Sequence, residues 1–140
     1  MIVRTFRPYD LARIDEQDAT RWLEPYLSSD HAQSLAKFTS FTGEVDGRIV
    51  VCAGVADIWE GRGTAWAYLS RDAARSALAI TRAVKRFLEI TPMKRIEAAV
   101  DAEFGRANKW TKNLGFEIET PLAKSYFADG RNAVLYVKVK

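Results

Sequence analysis

The stretch Arg95 to Phe116, RIEAAVDAEFGRANKWTKNLGF, reads as a strand, a short amphipathic helix, a glycine stop and a new strand. Ile96, Ala98 and Val100 alternate with Glu97 and Asp101, the pattern of a strand with one buried face, and Asp101 to Glu103 reads as a helix start. Gly115 ends that helix, because a glycine just past the last turn takes the left-handed conformation that a side chain resists; Phe116 then re-enters a strand.

Working outward, Arg71 to Thr91 is the longest helix candidate. Ala73, Ala77, Ile80, Val84, Phe87 and Leu88 fall on one face, Arg75, Arg82, Arg86 and Glu89 fall away from it, and Pro92 closes it. Before it, Thr64 to Leu69 (TAWAYL) is rich in strand formers and follows a turn at Glu60-Gly61-Arg62-Gly63. Phe41 to Val45, Asp46-Gly47, then Arg48 to Ile58 is the clearest hairpin signal, since Asp-Gly supplies the positive backbone angles of a tight turn. Asp18 to Thr39 predicts two helices. Trp22, Leu23, Tyr26 and Leu27 recur at helical spacing, and Leu35 with Phe38 resumes the pattern after a break at Ser28-Ser29-Asp30. Ile2 to Phe6 predicts a strand, with Pro8 and Asp10 turning into a helix, and Asn132 to Lys140 alternates as a terminal strand.

The order is strand, two helices, three strands, helix, strand, helix and two strands. That is an α+β arrangement of three-layer type around a mixed sheet. A chain of 140 residues without repeat, linker or low-complexity tract predicts a single domain over residues 1–140. No run approaches the length of a membrane span, and MIVRTFRPYD lacks the apolar core of a secretory signal, so a cytoplasmic location is expected. The lone Cys52, inside IVVCAGV, reads as a small core residue, and the lone His31 as a surface residue near a helix start; no metal site is expected. The net charge of +3 and pI near 9.1 suit an anionic ligand. Nucleic acid is not the expected partner, because the strands alternate apolar residues instead of interleaving aromatics with cations.

The element order, with a long helix after the third hairpin strand and a late helix ending in Leu114-Gly115-Phe116, resembles the GCN5-related N-acetyltransferase (GNAT) superfamily over nearly the full length. The resemblance implies a mixed, mostly antiparallel sheet with splayed central strands, flanked by helices, and acetyl-CoA as cosubstrate. The family's phosphate loop has Gln or Arg, two residues, Gly, any residue, then Gly or Ala. The corresponding segment here, Leu69-Ser70-Arg71-Asp72-Ala73-Ala74-Arg75-Ser76, has lost the glycines. With Asp72 as cap, the N–H groups of Ala74, Arg75 and Ser76 would still meet a pyrophosphate, although the Asp72 carboxylate competes with an anion unless Arg71 or Arg75 offsets it. Phe104 and Thr111 occupy the places where many members carry Asn and the Tyr proposed to protonate the CoA thiolate. The runs GTAWAYLS, ALAITRAVKRFLE and KWTKNLGF also resemble short phage proteins with acetyltransferase-like folds, some of them internal virion or head-assembly proteins. That likeness implies phage structural proteins as partners in a non-catalytic role.

In the transferase reading, the acyl group would lie between Trp66 to Leu69 and Ala98 to Asp101, with Tyr68 and Leu69 at the cosubstrate. Asp101, at a strand end, is the first candidate for a base or a water-orienting group, although a helix cap is the simpler reading of it; Glu60 ranks below it. Tyr126 is preferred to Tyr68 as the acid, since Tyr68 reads as a core aromatic. Arg71, Arg75, Arg106, Lys109 and Lys112 are the phosphate-binding candidates, each also readable as a solvated basic side chain. Trp66 and Trp110 read as core, and Trp59, beside a turn, as a substrate-facing aromatic. The acceptor is an unidentified amine of a small molecule or protein. Exposed edge strands are compatible with a homodimer.

Overall fold

The computed structural model describes residues 1–15 and 29–140. The elements are β1 (Ile2–Thr5), α1 (Asp10–Arg13), α2 (Ser29–Ala36), β2 (Thr39–Val45), β3 (Arg48–Trp59), β4 (Arg62–Leu69), a 3-10 turn (Ala73–Ser76), α3 (Ala77–Ile90), β5 (Arg95–Asp101), α4 (Gly105–Asn113), β6 (Glu117–Ala123) and β7 (Ala133–Val139). The strands form a seven-stranded sheet in the order β1-β2-β3-β4-β5-β7-β6. It is mixed and mostly antiparallel, flanked by helices, the α+β class expected. The helical spacing of Trp22, Leu23, Tyr26 and Leu27 lies outside the described residues.

Two compact units make up the chain. The first holds residues 1–56 and 65–91. Its β2–β3 hairpin turns at Asp46 (φ 51°) and Gly47 (φ 76°), as Asp-Gly predicts. One core joins Phe6, Leu11, Ile14, Ala32, Leu35, Ile49, Cys52 and Tyr68, with Trp66 packed against it. Elsewhere in this unit α3 buries Ile80, Val84 and Leu88, and its half-buried Phe87 meets Phe41 at 5.4 Å between ring centroids. Asp10 is 2% exposed and ties three elements together. It accepts two hydrogen bonds of 2.8 Å from the Arg4 guanidinium, one of 2.8 Å from the Arg7 N–H and one of 2.8 Å from the Thr42 hydroxyl.

The second unit holds residues 57–64 and 92–140. Arg62–Thr64 of β4 pairs in parallel with Arg95–Glu97 on one edge of β5, and β7 pairs antiparallel with β5 along its whole length, Arg95 to Asp101. Its buried side chains include Met93, Ile96, Leu114, Phe116, Ala133 and Tyr136. Gly115 takes φ +96°, the left-handed stop expected of it.

Two helix starts differ from the expectation. The segment Arg71 to Thr91 is not one helix: the 3-10 turn occupies Ala73–Ser76 and the α-helix begins at Ala77. Nor does α4 start at Asp101 to Glu103. The Asp101 carboxylate accepts the Glu103 N–H at 2.9 Å and its carbonyl accepts the Phe104 N–H at 3.0 Å, which makes this a turn, and the helix begins at Gly105. The causes differ: the Asp101 carboxylate bonds a backbone N–H two residues on and offers the chain a turn, whereas the Asp72 carboxylate is taken by the Ser70 hydroxyl and Arg48 and so does not cap a helix.

Candidate functional site

In the first unit, β4 delivers the chain into the turn where a phosphate-binding segment was expected. Ser70 anchors that turn. It is 2% exposed, its N–H donates to the Val50 carbonyl at 3.0 Å, and its hydroxyl donates to Asp72 at 2.7 Å. The Asp72 carboxylate also pairs with Arg48 at 2.9 Å. The Ser70 hydroxyl foremost, and Arg48 with it, hold Asp72 below the usual carboxylate range. Asp72 makes no capping bond with its side chain, contrary to expectation. The Arg75 N–H is taken by the Asp72 carbonyl at 3.1 Å, so of the N–H groups of Ala74, Arg75 and Ser76 that one is committed to the turn. The side chains of Ala74 and Arg75 are exposed and that of Ser76 is half-buried. The Arg71 N–H donates to the Asp15 carbonyl at 2.8 Å, and its guanidinium lies 3.3 Å from the Asp15 carboxylate.

Tyr68 is buried in the core, with its ring centroid 5.9 Å from that of Trp66, and Leu69 is half-buried. Trp66, read as core, packs edge-on against Phe6 at 5.3 Å. Its indole Nε1 is buried with no hydrogen-bond partner, the one such side-chain atom among the described residues. Burial raises the Cys52 thiol to about 12, more than its contact with Thr42 lowers it, which suits a core residue.

In the second unit, Asp101 ends β5 with both carboxylate oxygens engaged. One accepts the Glu103 N–H and the other accepts a 2.9 Å charged hydrogen bond from Arg131. Its side chain is 12% exposed. Behind it, the buried Tyr136 hydroxyl donates to Asn108 Oδ1 at 2.6 Å, and Asn108 Nδ2 donates to the carbonyls of Asp101 and Phe104 at 2.9 Å each. Burial raises the Tyr136 phenol above its ordinary value, so it stays a donor. Sequence reasoning missed Asn108, Arg131, Asn132 and Tyr136. A weak signal existed for Asn108, since Asn in mid-helix calls for a specific side-chain bond.

Glu60 is not brought to Asp101. It sits exposed in the turn before β4, whose Arg62 pairs with Arg95 at the start of β5, and the six residue-to-residue steps from Arg95 to Asp101 span about 20 Å at ordinary strand rise. Tyr126 lies on the β6–β7 loop, 52% exposed, with its ring edge-on to Phe127. Arg106 and Lys109 are exposed on α4, Arg106 lying 5.7 Å from the Phe104 ring centroid. Lys112 is exposed in the last turn of the same helix. Trp59 is 62% exposed beneath the Arg62 guanidinium at 4.5 Å. Among the described residues no cluster of His, Cys, Asp or Glu is placed to hold a metal ion, and no helix is long and apolar enough to cross a membrane.

No protein-family model matches the sequence, and no curated protein matches it. Solved structures do. Ard1 from Thermoplasma volcanium is 19% identical with a TM-score of 0.75, covering 99% of this chain and 96% of that one. The ribosomal-protein-S18-alanine N-acetyltransferase from Escherichia coli is 17% identical with a TM-score of 0.76, covering 99% and 92%. A probable acetyltransferase from Staphylococcus epidermidis is 10% identical with a TM-score of 0.79, covering 99% and 98%. The class that the architecture defines is the GNAT acetyltransferase fold.

Proposed function

We propose that this protein is an acyl-CoA-dependent N-acetyltransferase that uses acetyl-CoA to acetylate an amine of a small molecule or protein. The observation that carries the reading is end-to-end likeness: 99% of this chain superposes on 92% of an N-acetyltransferase, which leaves no large part of either fold unmatched. A fold alone does not fix chemistry, so the reading is a proposal about the reaction. In that reaction a neutral amine attacks the thioester carbonyl, the attacking nitrogen gives up a proton to a base or to water, the tetrahedral oxyanion collapses with cleavage of the C–S bond, and the departing thiolate takes up a proton as the amide forms.

The residues fit the cosubstrate in part. On the turn after β4 in the first unit, exposed Arg75, with Arg71 beside it, supplies cationic groups for the pyrophosphate; Arg106 and Lys109, exposed on α4 of the second unit, are phosphate-binding candidates taken by themselves. Tyr126 is the proposed proton donor to the thiolate. The solved neighbours include enzymes named for a ribosomal-protein alanine and for spermidine, which makes peptide N-termini and polyamines the acceptor classes to screen first.

Titration calorimetry with acetyl-CoA tests the reading, with Arg75→Glu as control. Micromolar binding weakened at least tenfold by the substitution supports it and justifies the acceptor screen. Absence of binding by both acetyl-CoA and CoA sinks it. One observation favours a second reading, a non-catalytic protein that uses the fold as an interaction module: the Asp72 carboxylate stands in the turn and the Arg75 N–H is already bonded within it. The same titration separates the two.

A further inference from the structure

The β6–β7 connection runs over residues 124–132, longer than the two to five residues that an antiparallel hairpin needs. It has an internal framework. Ser125 (φ 52°) and Gly130 (φ 89°) turn the chain; the Phe127 N–H donates to the Arg131 carbonyl at 3.1 Å, the Gly130 N–H to the Phe127 carbonyl at 2.9 Å, and the Ser125 N–H to Asn132 Oδ1 at 2.9 Å. Two further contacts fix this framework to the end of β5. The Ala102 N–H donates to the Asn132 carbonyl at 2.9 Å, and Arg131 bridges two carboxylates, Asp129 of the loop at 2.9 Å and Asp101 of the strand at 2.9 Å.

We infer that Arg131 is a positioning residue for acceptor recognition: its bridge to Asp101 seats the β6–β7 loop, and the exposed Tyr126 with it, on the C-terminal end of β5. The seating stands on the geometry alone; what it recognises rests on the acetyltransferase reading. Only arginine suits the bridge, because its planar fork offers separate N–H groups to two carboxylates in fixed directions, whereas a lysine ammonium meets one at a time. Asp101 in turn has one oxygen for the Glu103 N–H and one for Arg131, so its carboxylate serves as the seat of the loop. Tyr126 presents a phenol and an aromatic face, half in solvent, to an incoming amine-bearing group.

The test uses the full-length protein and three variants, Arg131→Ala, Arg131→Lys and Asp101→Asn. The last keeps an amide oxygen to accept the Glu103 N–H and puts an NH2 donor in place of the oxygen that faces Arg131, so it removes both the charge and the acceptor there while sparing the local turn, and separates seating from folding. Hydrogen exchange of the Ser125, Phe127 and Ala102 amides should quicken at least tenfold in Arg131→Ala and Asp101→Asn, and be partly restored in Arg131→Lys. In steady-state assays with a hexapeptide beginning with alanine and with spermidine as acceptor probes, KM for the acceptor should rise fivefold or more and kcat should fall, because the same loop carries the proposed proton donor Tyr126, while KM for acetyl-CoA stays within twofold. Unchanged exchange in Asp101→Asn overturns the seating, and an equal rise in both KM values overturns the role in acceptor recognition. If the wild-type protein acetylates neither probe, the recognition half falls with the acetyltransferase reading, while the exchange data still decide the seating.

Discussion

Asp10 is a carboxylate at 2% exposure, and burial on its own raises its pKa. The Arg4 guanidinium, the Arg7 N–H and the Thr42 hydroxyl together outweigh that burial, and the net result lies below the usual range. A depressed pKa in the folded state means that stability is fully present above the unfolded value of about 3.9 and is lost as pH falls through the folded value. Asp10→Asn should therefore flatten the acid limb of the stability curve below about pH 4, read by urea denaturation between pH 2 and 7. Asp10→Ala should cost about 1–3 kcal/mol at neutral pH, because it leaves the Arg7 N–H and the Thr42 hydroxyl without their acceptor and Arg4 with Glu44 as its remaining carboxylate partner. An acid limb unchanged in Asp10→Asn would refute the assignment. Tyr136 poses the neutral counterpart: Tyr136→Phe keeps the ring and leaves Asn108 Oδ1 without its donor, for an expected loss of about 1–3 kcal/mol. A loss below about 0.5 kcal/mol would mean that water replaces the phenol.

At the level of elements, the β2–β3 pair brings backbone close to backbone at Gly54. Gly54 faces Ser40 across the ladder, and a Cβ at that position would lie 2.7 Å from Ser40 Cβ and 2.7 Å from the Thr39 carbonyl oxygen. Those atoms are backbone and Cβ, which cannot swing away, so Gly54→Ala should cost about 1–3 kcal/mol through strand separation, measurable as a lower Tm. Gly61→Ala makes the contrast, since open space surrounds that Cβ and only the positive φ of 84° resists it. This hairpin was legible because its signal is local: the Asp-Gly turn fixes register, and register fixes which side chains meet. The helix starts were not. Whether Asp72 caps a helix or bonds Ser70 depends on Arg48, which is distant in sequence, and the Asp101 turn depends on Asn108 and Arg131, which arrive 7 and 30 residues later. The same reason hid the Tyr136–Asn108 pair and the loop seat, while Glu60 was judged by residue type with no means of seeing that parallel pairing puts it at the far end of β5 from Asp101.

For the molecule as a whole, the question is how a chain with a net charge of only +3 would hold a cosubstrate carrying several phosphate charges without a glycine-rich loop. Under the proposed function, a turn without glycines whose Arg75 N–H is tied to the Asp72 carbonyl would shift the burden from backbone N–H groups to side-chain cations. Side-chain and backbone routes differ in their response to salt. Exposed ion pairs are each worth roughly 0.2–1 kcal/mol, so four of them contribute about 2 kcal/mol at low salt. Most of that vanishes as the Debye length shrinks from about 10 Å at 0.1 M to about 3 Å at 1 M. Acetyl-CoA affinity should thus fall by roughly tenfold over that range, since 1.4 kcal/mol is a factor of ten. The N-acetylcysteamine thioester of acetate, which has no phosphate, should bind equally at both salt concentrations. If both ligands respond alike, Arg71, Arg75, Arg106 and Lys109 are solvated surface cations, and whatever holds the cosubstrate must be the fixed dipoles of α3 and the turn before it, which salt screens less when a bound phosphate excludes water from them.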